Sequence, residues 1–102
     1  MFTFHATSKV STFDANRVIK RLSNHWKHKN TVEFVDATDS LQNSSALIKF
    51  EAAECELYAH ENYIQIKVHT PTQEALERMK NAVADHIMRM ANPEELVIKW
   101  DI

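Results

Sequence analysis

The stretch Ala46-Leu47-Ile48-Lys49-Phe50-Glu51, followed after Ala52 by Ala53-Glu54-Cys55-Glu56-Leu57-Tyr58-Ala59, decides the fold. Ala46, Ile48 and Phe50 alternate with Leu47, Lys49 and Glu51. Ala53, Cys55, Leu57 and Ala59 alternate with Glu54, Glu56 and Tyr58. Successive side chains of a strand point to opposite faces, so a period of two means one face packed and one wet. That is the pattern of an antiparallel sheet covered on one side. Ile64, Ile66 and Val68 continue it beyond the turn His60-Glu61-Asn62, which makes a meander.

Outward from this stretch the same period recurs at Phe2, Phe4 and Ala6, at Val32 and Phe34, and over Leu96 to Trp100. Two segments keep helical spacing instead. In the first, Phe13, Ala15, Val18, Ile19, Leu22 and Trp26 follow Ser11, which is expected to cap the helix with Asp14 in the acidic position of a capping box; the helix should reach about Lys29. In the second, Thr70-Pro71-Thr72-Gln73 opens a helix with a buried stripe of Leu76, Met79, Val83, Ile87 and Met90, and Pro93 stops it. The expected architecture is α+β: two helices packed on one face of a mainly antiparallel sheet, in the order β-α-β-β-β-β-α-β. Residues 1–102 form a single domain, as a chain of this length has room for one core.

Composition narrows the function. The chain has no glycine, and loops that cradle phosphates or dinucleotides need glycine where the backbone approaches the ligand. Walker-type hydrolysis and a Rossmann cofactor site are therefore excluded. No apolar run is long enough to span a membrane, and the amino terminus lacks the layout of a secretory signal. The expected location is the cytoplasm, with the single Cys55 as a core residue. Residues 1–30 hold six cations against Asp14, a local charge of +5 in a chain of net charge −2. A basic helix beside acidic strands accounts for this, and nucleic acid is not an expected partner.

The segments His25-Trp26-Lys27-His28-Lys29 and Ala84-Asp85-His86-Ile87-Met88-Arg89 end the two helices in matching ways. At 100° per residue, His25 lies about 60° from the stripe axis through Leu22 and His28 about 120°; His86 and Arg89 have the same angles about Val83. If the helices run antiparallel, both histidine edges face the groove between them or both face away. In the first case His25, His28, His86 and Arg89, with Lys29, line one ligand site. His25, His28 and His86 are then candidate ligands of a transition metal ion, because neutral imidazole suits iron, zinc, copper or nickel. The alternative is that His25 and His86 cap the core edge through hydrogen bonds.

His5, His60 and His69 occupy outward positions and read as solvated surface. Trp26, Trp100, Met79 and Met90 read as core. Ser40, Ser44 and Ser45 lie in a polar stretch without a neighbouring histidine, so no triad is argued. Asp36 and Asp39 read as a solvated turn.

Taken together, His25-Trp26-Lys27-His28-Lys29, the mid-sheet Cys55, the opening Pro71-Thr72-Gln73-Glu74-Ala75-Leu76, Ala84-Asp85-His86-Ile87-Met88-Arg89 and the terminal Trp100 resemble the bacterial domain-of-unknown-function family 2218. The resemblance covers nearly the whole chain and implies two helices against one side of a sheet. Members stand alone or are joined to siderophore-interacting flavin reductases, which implies a link to iron. The chain departs from the family at Glu51-Ala52-Ala53-Glu54, where glycines are usual. It departs again at Asn92 and Pro93, where an aromatic and an arginine are usual, so any anion-holding role of that arginine is lost here or passes to Arg89. The expected function is a non-catalytic accessory or ligand-binding domain tied to iron or siderophore handling, taking a small anion or metal chelate in the histidine groove. The alternatives are a small enzyme using the same histidines, and an oligomer-forming domain. The latter would dimerise through outer-face Val35, Leu47, Tyr58, Tyr63 and Val97.

Overall fold

In the computed structural model, which describes residues 2–35, 44–92 and 94–101, five strands form one antiparallel sheet under two helices. The elements are β1 (Phe4–Ser11), α1 (Ala15–Trp26), β2 (Thr31–Val35), β3 (Ser45–Phe50), β4 (Ala53–Ala59), β5 (Tyr63–Thr70) and α2 (Gln73–Ala91). The strand order is β1-β5-β4-β3-β2. β2 to β5 form the expected meander, and β1 closes its far edge against β5, with Phe4 opposite Thr70 and Ser11 opposite Tyr63. The two residues Glu51 and Ala52 turn β3 into β4, a hairpin made without glycine.

The alternation read from the sequence sets the layers. Ala6, Val10, Ala46, Ile48, Cys55, Leu57, Ile64, Ile66 and Val68 point inward and are buried. They meet Val18, Ile19, Leu22 and Trp26 of α1 and Leu76, Val83 and Ile87 of α2 in one core. α1 lies over β2, β3 and β4, while α2 lies over β5 and β1, and the helices pack on each other. Each strand antiparallels its neighbour, so β1 and β2 at opposite edges share a direction. α1 must run back between them and α2 must run back after β5, which leaves the helices antiparallel. No described helix is long and apolar enough to cross a membrane.

Four local expectations are corrected. β1 continues to Ser11, and the cap of α1 is Asp14, whose carboxylate accepts from the Arg17 amide at 3.1 Å. Phe13 therefore precedes the helix and stands 91% exposed rather than joining the stripe. α1 ends at Trp26, so His28 and Lys29 lie in the turn beyond it, where the amides of Lys29 and Asn30 still point to the Trp26 carbonyl. The cap of α2 is Thr72, accepting from the Ala75 amide at 3.1 Å, because the hydroxyl of the buried Thr70 donates to the Thr72 carbonyl instead. The last expected strand, Leu96 to Trp100, keeps its inward residues but is held to β1 by one bridge, Thr7 to Asp101, and by Ser8 Oγ donating to the Lys99 carbonyl at 2.6 Å. Asp36, Asp39, Ser40 and the stop at Pro93 fall outside the described residues.

Candidate functional site

The antiparallel helices carry their histidine edges to a common seam. Arg21 reaches across from α1 and donates through Nη1 to the Met90 carbonyl at 2.8 Å. That contact satisfies a carbonyl in the last turn of α2 with a cation, the charge its C-terminal dipole favours. One turn further along α1 and one turn back along α2, His25 meets His86, with ring centroids 5.2 Å apart and planes tilted by 45°. Trp26 also packs on His86 at 5.2 Å and stands edge-on to Phe50 at 5.3 Å, so the seam rests on the aromatic end of the core.

His86 is oriented. Its Nδ1 lies 2.7 Å from the Ala82 carbonyl. A carbonyl only accepts, so Nδ1 carries a proton and the neutral ring has its lone pair at Nε2. A backbone carbonyl behind one ring nitrogen is the support commonly found behind metal-bound histidines. Two imidazoles on adjacent positions of one ion, with metal–nitrogen bonds of about 2.0–2.1 Å, have centroids roughly 4.5–5 Å apart. The separation of His25 and His86 is close to this.

The other expected residues lie in the turn after α1 and on the exposed side of α2. His28 and Lys29 are exposed in the turn after α1. Arg89 is exposed and ion-paired with Asp85 at 3.0 Å, beside a shallow depression lined by Asp85, Met88, Arg89 and Asn92. The three-histidine set is not assembled: among the described residues no three His, Cys, Asp or Glu side chains come together as a metal site. Arg17, Lys20, Arg21, Lys27 and His28 are exposed, as the angles required.

The opposite face of the sheet holds a second arrangement. His5 and His69 are directly opposed in the β1–β5 register, and their Nδ1 atoms lie 2.6 Å apart. His69 Nε2 is 2.5 Å from Glu56 Oε2 on β4, and the Tyr58 hydroxyl donates to Glu56 Oε1 at 2.5 Å. Burial pushes the Glu56 carboxyl up, but the hydrogen bonds from Tyr58 and His69, with the charges of His69 and Lys67, outweigh it and hold the group below the ordinary range. The bond to Glu56, with partial burial and its negative charge, pushes Tyr58 up to about 12. Sequence reasoning left His5 and His69 as surface because 64 residues separate them. The only signal was alternation, which puts both on the wet face without giving the strand order that makes them neighbours.

A family model described as "Uncharacterized protein conserved in bacteria (DUF2218)" matches residues 7–101. Among solved structures, the chain is similar to the NMR structure of PA4090 from Pseudomonas aeruginosa. The identity is 39% and the TM-score 0.76, over 99% of this chain and 96% of that one. No curated protein matches.

Proposed function

The chain belongs to the bacterial family DUF2218, and on that premise we propose that it is a ligand-binding domain whose site is the seam between α1 and α2. One observation carries this reading: His25 and His86 stand 5.2 Å apart with the free lone pair of His86 fixed at Nε2. Two imidazoles fill two coordination positions. With no third protein ligand among the described residues, the favoured cargo is a transition metal that arrives with its remaining positions occupied by a chelator. Iron in a chelate is the member of this class that the link implied by the sequence resemblance favours. Lys29 in the turn after α1 and Arg89 on α2, the latter paired with Asp85, are the cations available to an anionic chelator. Neither seam histidine is hydrogen-bonded to a carboxylate among the described residues, so the seam is suited to holding a ligand rather than to acid–base catalysis.

The probe is the nickel complex of nitrilotriacetate, which leaves two adjacent positions open. Ligand that binds only the native state raises stability by mass action, so the melting temperature of the wild-type chain should rise by several degrees. His25→Ala and His86→Ala should each abolish the rise, while His5→Ala should leave it intact. A melting temperature unmoved by the complex, or a rise that survives both seam substitutions, contradicts the reading.

A further inference from the structure

With both rings neutral, the hydrogen bonds fix one proton order in the histidine pair on the open face. Ionised Glu56 can only accept, so Tyr58 donates to one of its oxygens and His69 Nε2–H to the other. In the neutral His69 ring this leaves Nδ1 as a lone pair. His5 Nδ1 lies 2.6 Å away and must then donate the hydrogen between them. The last free atom of the chain is His5 Nε2, an unprotonated nitrogen on an exposed residue. A proton arriving there charges His5, and the charge can pass along the hydrogen bonds to His69, next to the carboxylate. This is an imidazole base backed by an orienting acid through a second imidazole, the logic of a Ser-His-Asp triad without the serine.

We propose that His5 is a general base for the hydrolysis of activated carboxylic esters, with His69, Glu56 and Tyr58 as positioning residues. The class follows from the setting. Proton abstraction from carbon requires a desolvated pocket, whereas a base on an open sheet face meets water directly and needs only an electrophilic carbon with a good leaving group. In the step, His5 Nε2 takes a proton from water as the oxygen bonds to the acyl carbon and the carbonyl electron pair moves onto its oxygen. The tetrahedral adduct then breaks its bond to the leaving oxygen, which recovers the proton from His5. One ester and one water become one acid and one alcohol. The charged groups sharing this face are Lys9 on β1, Lys67 on β5, Glu54 and Glu56 on β4, the ion pair of Lys49 on β3 with Glu33 on β2, and Lys99 and Asp101 on the segment opposite Thr7.

The test is release of 4-nitrophenolate from 4-nitrophenyl acetate by the full chain between pH 5 and 9, with chelator present so that metal at the seam plays no part. The wild-type rate should exceed that of an equal concentration of imidazole, and His5→Ala should remove the excess. Glu56→Gln should lower the rate about tenfold, at the modest end of general-base effects because the site is wet, and move the rate–pH midpoint to lower pH. Glu56→Asp should restore part of both. His5→Ala is an exposed change, and unaltered circular dichroism confirms its fold. A wild-type rate no greater than imidazole, a rate unchanged by His5→Ala, or a Glu56→Gln profile superimposable on the wild type would each overturn the proposal. None of these outcomes bears on metal binding at the seam.

Discussion

Glu56 and Cys55 are adjacent in β4 and meet opposite environments, because one strand residue separates the wet face from the core. Cys55 is fully buried, and burial followed by the charge of Glu56 pushes its thiol far above the ordinary range, which makes it inert packing. Glu56 is held low, so it contributes stability above its unfolded pKa and loses it as pH falls through the depressed folded value. Tyr58 is raised; its contribution is complete below the ordinary tyrosine value of 10 and is lost as pH rises through about 12. Glu56→Gln should therefore cost stability at neutral pH, by about 1 kcal/mol for the bonds weakened. Its unfolding curve should merge with the wild type in strong acid, as checked by urea titrations at several pH values. A difference that persists undiminished at the lowest pH would mean that the carboxylate's charge is irrelevant. At this scale the sequence was legible for burial and illegible for partnership. Cys55 could be assigned to the core from its neighbours, but the bonds of His5, His69 and Glu56 depend on a register that no local pattern contains.

The helices show where local signals compete. Ser11, Thr12 and Asp14 all offer side-chain oxygens ahead of α1. Ser11 is taken by the β1–β5 ladder, and Thr12 donates to Glu94 Oε1 at 2.6 Å, which leaves the carboxylate of Asp14 for the cap. Glu94 also accepts from the Phe13 amide, so the entry to α1 is pinned by a residue beyond the end of α2. At α2 the choice between Thr70 and Thr72 is settled the same way, by the strand that keeps Thr70. Asp14→Ala and Thr72→Ala should each cost about 1 kcal/mol in chemical denaturation, whereas Ser11→Ala should stay within about 0.5 kcal/mol as an exposed strand residue with no capping role. An equal loss at Ser11 and Asp14 would restore the capping box expected from sequence. The stripes themselves were legible, since Leu22, Val83 and Ile87 are fully buried at the positions their spacing assigned. The helix ends were not, because tertiary partners decide which of several equivalent oxygens is free.

For the whole molecule, the sheet order makes the seam. With β1 and β2 at opposite edges, α1 must cross the sheet one way, and α2 must return antiparallel to it. Only then do the rings of His25 and His86, 61 positions apart, meet between the helices. The sequence supplied the condition, in the equal angles of the two histidines about their stripes, and the fold supplies the antiparallel pairing. Of the outer apolar residues, Val35 shares a cross-strand row with Tyr58, while Val97 and Tyr63 line one depression near β1 at the other side of the sheet. Trp26 offers the most direct test of the seam, because its ring packs on His86 and a paramagnetic ion held there must quench its emission. In a Trp100→Phe background, where Trp26 is the sole tryptophan, titration with the nickel complex of nitrilotriacetate should quench fluorescence saturably, and His86→Ala should remove the effect. Emission unchanged by the complex, or quenched equally without His86, would contradict the claim that the two helices build one ligand site.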